Sequence, residues 1–191
     1  MSQINTIDGV DYGPLAALIG TWTGDKGVDK SPEPDGEERN LFYETILFEA
    51  IGDVDNAEKQ NLAVLRYHQV VSRKTNDEVF HNETGYWIWD KADGTIMQSF
   101  SIPRGLAVLA GGNCRAPEDI NAELTLSVKA VAGDLTFGVL QSPFMEANAK
   151  TTRFTHDITV HGDSMRYTET TFLDIYGKEY DHTDINRLQR S

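Results

Sequence analysis

The sequence predicts an all-β protein, an antiparallel up-and-down barrel of roughly ten strands with a short N-terminal helix. Apolar and polar residues alternate along most of the chain, as in Ala122 to Val131 and Thr152 to Val160. This period of two is typical of strands with one buried face. Turn residues separate the runs at the spacing of a barrel or sandwich. Closure into a barrel leaves no exposed strand edge, which favours the barrel.

The helical pattern lies near the N-terminus, in Tyr12 to Ile19. Pro14 suits a first helical turn, Leu15 and Leu18 share a face, and Gly20 ends the helix. Later runs are rich in branched and aromatic residues and are predicted to be strands. They cover residues 40–51, 61–72, 79–90, 95–102, 106–110, 122–131, 135–141, 152–160, 165–175 and 182–189.

Short turns join many of these runs, and Lys91 to Gly94 and His161 to Ser164 are typical of tight hairpins. Two connections are expected to be longer, around Ser31 to Gly36 and around Ala116 to Asn121. The chain has no internal repeat or linker, so we predict a single β-barrel ligand-binding domain over residues 1–191. A barrel of this size has room inside for one small ligand.

The charge is strongly acidic, with 17 Lys and Arg residues against 30 Asp and Glu residues and a formal net charge of −13. Such a surface repels phosphate backbones and anionic lipid headgroups, so nucleic acid and membranes are not expected partners. The single cysteine, Cys114, cannot form an internal disulfide. The first ten residues lack the basic and apolar regions of a secretory signal. We expect a cytoplasmic monomer or homodimer.

Four segments carry a recognisable pattern. Gly20 to Gly24 reads Gly-x-Trp-x-Gly, Phe42 to Glu44 places aromatic residues before a glutamate, and His81 to Tyr86 reads His-x-Glu-x-Gly-aromatic. His182 precedes the last predicted strand. Together these segments resemble the nitrobindin family, haem-binding barrels related in shape to fatty-acid-binding proteins. Asp25-Lys26 departs from the glycine-rich continuation of the first family motif.

The resemblance implies a haem cofactor, haem b, inside the barrel. His182 would be the iron ligand, since neutral imidazole is a standard axial ligand of haem iron. The ferric iron would react with nitric oxide or peroxynitrite, and the activity of the family is isomerisation of peroxynitrite to nitrate. The residues expected to line the cofactor site are Thr23, His81, Gly85, Ile102 and Arg104.

The residues alone leave the orientation of His182 open. On an extended strand His182 shares its face with Asp184, Asn186 and Leu188. That face either lines the interior or belongs to a polar, solvent-exposed segment.

Two other predicted site residues also have two interpretations. His81 shares a face with Glu83, Gly85 and Trp87, and the glycine, which has no side chain, is expected to leave space there for a flat ligand. Alternatively, His81 is hydrogen-bonded at the barrel rim. Arg104 either meets a ligand carboxylate at the barrel mouth or is solvated at a strand break.

Three residues are expected to be structural. Trp22 is predicted to plug one end of the barrel against the helix. His156 lies on an apolar face and is expected to be a hydrogen-bonded core residue, while His161 lies in a turn. These two histidines fall on opposite strand faces and make a poor zinc site.

Two other functions fit the same residues. A metal-free carrier would bind a fatty acid or another small apolar ligand, with Arg104 as the anchor for its head group. A small hydrolase or isomerase would use His81 or His182 with a carboxylate, although no spacing requires it.

Overall fold

The computed structural model describes residues 5–115 and 122–191, and the predicted loop Ala116 to Asn121 lies outside them. A small ribbon of β1 (Thr6–Ile7) and β2 (Val10–Asp11) precedes a 3₁₀ helix, Gly13–Leu18. The remaining elements are β3 (Gly20–Glu33), β4 (Gly36–Asn56), β5 (Gln60–Arg73), β6 (Val79–Asp90), β7 (Thr95–Ile102), β8 (Leu106–Asn113), β9 (Leu124–Val131), β10 (Val139–Gln141), α1 (Pro143–Asn148), β11 (Ala149–His161), β12 (Ser164–Ile175) and β13 (Lys178–Arg190).

Ten of these strands form a closed antiparallel barrel. Strands β3 to β8 pair in chain order, β9 pairs with β11, and β11 to β13 continue the sheet until β13 pairs with β3. The pairing of Gly111 with Lys129 joins β8 to β9 and completes the ring. Short β10 adds to the edge of β8 beside this junction. The predicted up-and-down barrel with a short N-terminal helix is confirmed.

Three local predictions need correction. The expected loop at Ser31 to Gly36 is a tight turn, because β3 and β4 pair up to Glu33 and Gly36. Pro32 is tolerated there because β3 pairs with β13 only as far as Lys30 and is an edge strand beyond it. The predicted strand 135–141 shortens to β10, since the Asp134 carboxylate accepts backbone N–H bonds that hold a turn.

The third correction is α1, which was not predicted. Ser142 begins this helix, and its hydroxyl accepts a bond from the Met145 N–H at 3.3 Å. Pro143 occupies the first turn, where its missing N–H costs nothing. Within residues 5–115 and 122–191, no helix is long and apolar enough to cross a membrane.

Trp22 closes the helix end of the barrel, as predicted. Its side chain is fully buried, and its indole N–H donates to the Leu18 carbonyl at 2.7 Å. The Arg190 guanidinium lies 4.2 Å from the centre of the indole ring. Arg190 also donates to the carbonyls of Ala17 and Ile19, so it ties the helix to the last strand.

A β-bulge in β3 changes which residues face the interior. Four residues of β3, Gly24 to Gly27, lie opposite three residues of β4, Phe42 to Glu44. The extra residue reverses the alternation, because Trp22 is buried before the bulge and Gly27 and Asp29 are buried after it. The bulge contains Asp25-Lys26, the departure from the family motif, and it turns Asp29 inward.

The junction of β8 and β9 predicts a stability effect. A Cβ atom on Gly112 would lie 2.0 Å from the Ser127 carbonyl oxygen, so Gly112→Ala pushes these strands apart. We expect a loss of about 1–3 kcal/mol in unfolding free energy, measured by urea denaturation. Gly36→Ala is the control, since a Cβ there meets nothing within 4 Å. Equal denaturation midpoints for the two variants would contradict this account of closure.

Candidate ligand-binding cavity

A cavity of about 340 Å³ occupies the end of the barrel away from Trp22. The exposed side chains of Glu33 and Tyr176 lie at its outer end, so it opens to solvent. One part of its wall is apolar and consists of Phe100, Ile102, Leu106, Val108, Phe154 and Leu173. Another part carries ionisable groups, namely Asp29, His81, Glu83, Glu169, His182 and Asp184. The cavity is therefore of mixed character, with carboxylates and imidazoles facing an apolar wall.

The central contact of the polar wall joins His182 to Asp29. His182 Nε2 lies 2.8 Å from Asp29 Oδ1 and 3.6 Å from Asp184 Oδ2. Asp29 is 3% exposed, and its other oxygen accepts a bond from the Asn40 side-chain amide at 3.1 Å. A buried carboxylate, itself held in place, thus fixes the orientation of the imidazole.

The two groups shift each other's pKa. Burial lowers the pKa of His182, but the hydrogen bond with Asp29 and the charges of Asp184 and Asp29 outweigh it, and the pKa is raised. Burial raises the pKa of Asp29, but the hydrogen bond and charge of His182 outweigh it, and the pKa is lowered. The imidazolium and the carboxylate therefore stabilise each other as an ion pair.

A second set of hydrogen bonds runs from the cavity into the core. His81 Nε2 lies 3.5 Å from Glu83 Oε2, and the Tyr67 hydroxyl donates a short bond to Glu83 Oε1. The Gln98 amide donates to the Tyr67 hydroxyl at 2.9 Å, and its carbonyl lies 2.9 Å from His156 Nδ1. This series of hydrogen bonds therefore links the cavity carboxylate of Glu83 to the buried imidazole of His156.

His156 is a core residue, as predicted, but only one of its two ring nitrogens has a hydrogen-bond partner among the described residues. Burial lowers its pKa to about 3, so the ring is neutral and Nδ1–H donates to Gln98. Its Nε2 is buried and has no hydrogen-bond partner among the described residues. The ring is held edge-on to Trp87 and Tyr167, with centroids 5.8 and 5.5 Å away.

Glu169 and Asp184 bring two further carboxyl groups together. They lie opposite each other on β12 and β13. Burial and the charges of Glu83 and Asp184 raise the pKa of Glu169 well above its ordinary value. Burial raises the pKa of Asp184 to about 6, although the charge of His182 opposes the change. Burial therefore favours the neutral form of Glu169.

Four of the six predicted site residues meet at this cavity. His182, His81, Ile102 and Arg104 all line it. The face of β13 that carries His182 and Asp184 lines the interior of the barrel and does not belong to a solvent-exposed segment.

The other two predicted residues lie elsewhere. Thr23 is exposed and lines a separate surface groove beside the bulge. Gly85 faces inward, but a Cβ there would lie 2.2 Å from the Ser99 carbonyl and 2.8 Å from Phe100 Cβ. The space expected beside Gly85 is therefore filled by β7, and it holds no room for a flat ligand.

Four carboxyl groups of the cavity, those of Asp29, Glu83, Glu169 and Asp184, were not predicted as site residues. Two of them carried a usable signal, since Glu83 shares its face with His81 and Asp184 shares its face with His182. Asp29 and Glu169 carried none, because their places depend on the bulge in β3 and on strand pairing far along the chain.

The fold and cavity define a closed antiparallel barrel of the kind that encloses a small ligand. The family model for the THAP4-like, heme-binding beta-barrel domain matches residues 11–190, and the chain belongs to this family. The resemblance to nitrobindins is thereby confirmed.

Solved structures agree on the fold. The crystal structure of Rv2717c from M. tuberculosis is similar, with a TM-score of 0.70 over 93% of this chain and 94% of that chain. The two sequences are 20% identical, so this likeness concerns the fold alone. A search of curated proteins gave no match.

A buried glutamate below the cavity predicts a pH effect on stability. Glu44 is 2% exposed and accepts bonds from Tyr167, Asn186 and Gln69 at 2.7–2.9 Å. Burial raises its pKa from 4.5 to about 7 despite these bonds. The folded chain therefore binds this proton more tightly, and the stability it contributes below pH 4.5 is lost as the pH rises to about 7.

We expect Glu44→Gln to remove this part of the pH dependence. Relative to wild type, its unfolding free energy should improve by up to about 3 kcal/mol between these two pH values, measured by urea denaturation. Glu179→Gln, which changes an exposed glutamate, should follow the wild type. A Glu44→Gln profile parallel to wild type would show that Glu44 does not titrate in this range.

Proposed function

We propose that the barrel binds haem in its cavity, with His182 as the iron ligand, and that the ferric complex reacts with nitric oxide and peroxynitrite. The observation that carries the proposal is the bond between His182 Nε2 and the buried Asp29 carboxylate, at 2.8 Å inside the cavity. Metal-binding histidines commonly give one ring nitrogen to a carboxylate and the other to the metal. His182 Nδ1 makes no hydrogen bond to any residue that the structure describes, so it is free for this role.

The rest of the cavity supports this assignment. Its apolar wall, formed by residues such as Phe100, Val108 and Phe154, suits the face of a macrocycle. Arg104 lies at the mouth and is exposed, and its guanidinium can pair with a carboxylate such as a haem propionate. Membership of a haem-binding domain family points to the same cofactor.

The side chains of this protein have distinct parts in the proposed reaction. Bound haem would supply the iron that reacts with nitric oxide and peroxynitrite. Asp29 makes the His182 imidazole more basic and fixes its orientation. His81, 3.5 Å from Glu83, can hold or give up a proton next to a ligand in the cavity. The apolar wall keeps water away from the reacting atoms.

The alternative of a fatty-acid carrier has less support. A fatty-acid carboxylate in this cavity would meet Asp29, Glu83 and Asp184. Two arginines line the cavity. Arg73 is already paired with Glu78 at 3.6 Å, so Arg104 is left to anchor the head group of the fatty acid. Like charges at close range disfavour an anionic head group in the interior, and we favour haem because the chain belongs to a heme-binding domain family.

Titration of the haem-free protein with haemin tests the cofactor. We expect wild type to develop a Soret band at one equivalent, and His182→Ala to lose it because the axial ligand is gone. His161→Ala removes an exposed imidazole and should retain the band. A band of unchanged position and intensity in His182→Ala would exclude this residue as the ligand.

Stopped-flow mixing with peroxynitrite tests the reaction. The ferric complex should speed the loss of peroxynitrite relative to free haemin and give nitrate, and nitric oxide should shift its Soret band. His81→Ala should keep haem but react on the order of 100-fold more slowly, because it lacks the proton-holding group. Decay no faster than with free haemin would disprove the proposed activity while leaving haem binding intact.

A further inference from the structure

Asp29, His182 and Asp184 have the spacing of ligands around one small cation. One possible ligand atom from each lies within 4.8 Å of the other two. His182 Nε2 lies 2.8 Å from Asp29 Oδ1 and 3.6 Å from Asp184 Oδ2. Ligand atoms at about 2.1 Å from a metal and at tetrahedral or octahedral angles lie about 3.0–3.4 Å apart. The two separations from His182 Nε2 differ from this range by only a few tenths of an ångström, so the two carboxylates flank this nitrogen as ligands of one cation would.

The barrel holds these groups in place. Asp29 and Asp184 are paired residues on β3 and β13, and the ladder around them runs unbroken from Lys30 to Val28. His182 lies two residues from Asp184 on the same inward face. Asn40 holds the Asp29 oxygen that does not contact His182. Such a preformed, supported arrangement is what a metal site requires.

The charge around the three groups also favours a cation. The Asp184 carboxylate makes no hydrogen bond to a residue in the described part of the chain, although it faces the cavity. Glu83 and Glu169 line the same cavity. Across residues 5–115 and 122–191, the basic groups within 4 Å of these four carboxyl groups are histidines, and no lysine or arginine pairs with them. His182 brings one positive charge to two carboxylates, Asp29 and Asp184, whereas a divalent cation in place of its proton would balance both.

We propose that Asp29, His182 and Asp184 bind one divalent first-row transition-metal cation, such as Zn²⁺ or Fe²⁺, when haem is absent. A nitrogen donor with two carboxylate oxygens suits these ions. Three protein ligands leave a coordination position that faces the cavity, which is the pattern of catalytic rather than structural metal sites. The proposed haem iron takes Nδ1 of this imidazole and the cation takes Nε2, and holding both would require the ring to lose both of its N–H protons. The cation and haem therefore compete for His182, but the proposal does not require that haem binds.

Calorimetric titration of the metal-free protein with Zn²⁺ tests this site. Wild type should bind one equivalent, and Asp184→Asn should weaken binding by on the order of 10–100-fold or more, because it replaces a charged ligand with an amide of the same shape. Asp181→Asn is the matched control, since Asp181 is exposed on the outer face of the same strand. Zn²⁺ should raise the thermal midpoint of wild type and Asp181→Asn, but not that of Asp184→Asn.

Two outcomes overturn the proposal. One is the absence of a Zn²⁺ equivalent in wild type, and the other is binding unchanged by both Asp184→Asn and His182→Ala, which would place the ion elsewhere. Circular dichroism of each variant shows that the barrel remains folded.

Haemin titration of the same variants separates this proposal from the haem proposal. Asp184→Asn should retain the Soret band that His182→Ala loses, and bound Zn²⁺ should reduce haem uptake by wild type. A Zn²⁺ site with no Soret band would disprove haem binding alone. A Soret band with no Zn²⁺ site would disprove the cation site alone.

Discussion

The bond between Asp29 and His182 is the constraint on which the cavity depends. It joins β3 to β13 inside the barrel and fixes the direction of the imidazole. It also sets the charge of both groups, since it raises the pKa of one and lowers that of the other. The bond exists because the bulge at Gly24 to Gly27 turns Asp29 inward. A local irregularity in β3 therefore determines that a carboxylate of this strand lines the cavity.

The polar interior of the barrel is arranged in two layers. Near the mouth, Asp29 and His182 form a mutually stabilised ion pair. Deeper in the barrel, burial favours the neutral forms of Glu169 and His156, because it raises the pKa of the carboxyl group and lowers that of the imidazole. The ion pair near the mouth thus lies above groups whose neutral forms are favoured. A ligand that carries charge at one edge only would match this division.

Strand positions and inward faces could be predicted from the sequence because both follow from local alternation. The period of two placed His182 with Asp184, and His81 with Glu83, on single faces, and the structure has these faces inside. Asp29 could not be found in this way, since a single extra residue in β3 reverses the alternation between Trp22 and Asp29.

Contacts between distant segments could not be predicted from a local sequence pattern. The space beside Gly85 looked open because nothing in β6 shows that the Ser99 carbonyl and Phe100 of β7 fill it. The tight turn after Glu33 was missed because Pro32 interrupts strands only where both edges are paired.

The contact between Trp22 and Arg190 has a consequence for the order of folding. Trp22 lies at the start of the first long strand, and its stacking partner stands near the end of the last strand, 168 positions later in the numbering. Pairings of such long range form slowly, because much of the chain must be ordered before they gain free energy. During synthesis, the edge of β3 that pairs with β13 stays unpaired until β13 has left the ribosome. One edge of β3 therefore stays unpaired for most of synthesis, and such an edge is prone to incorrect pairing unless a chaperone covers it.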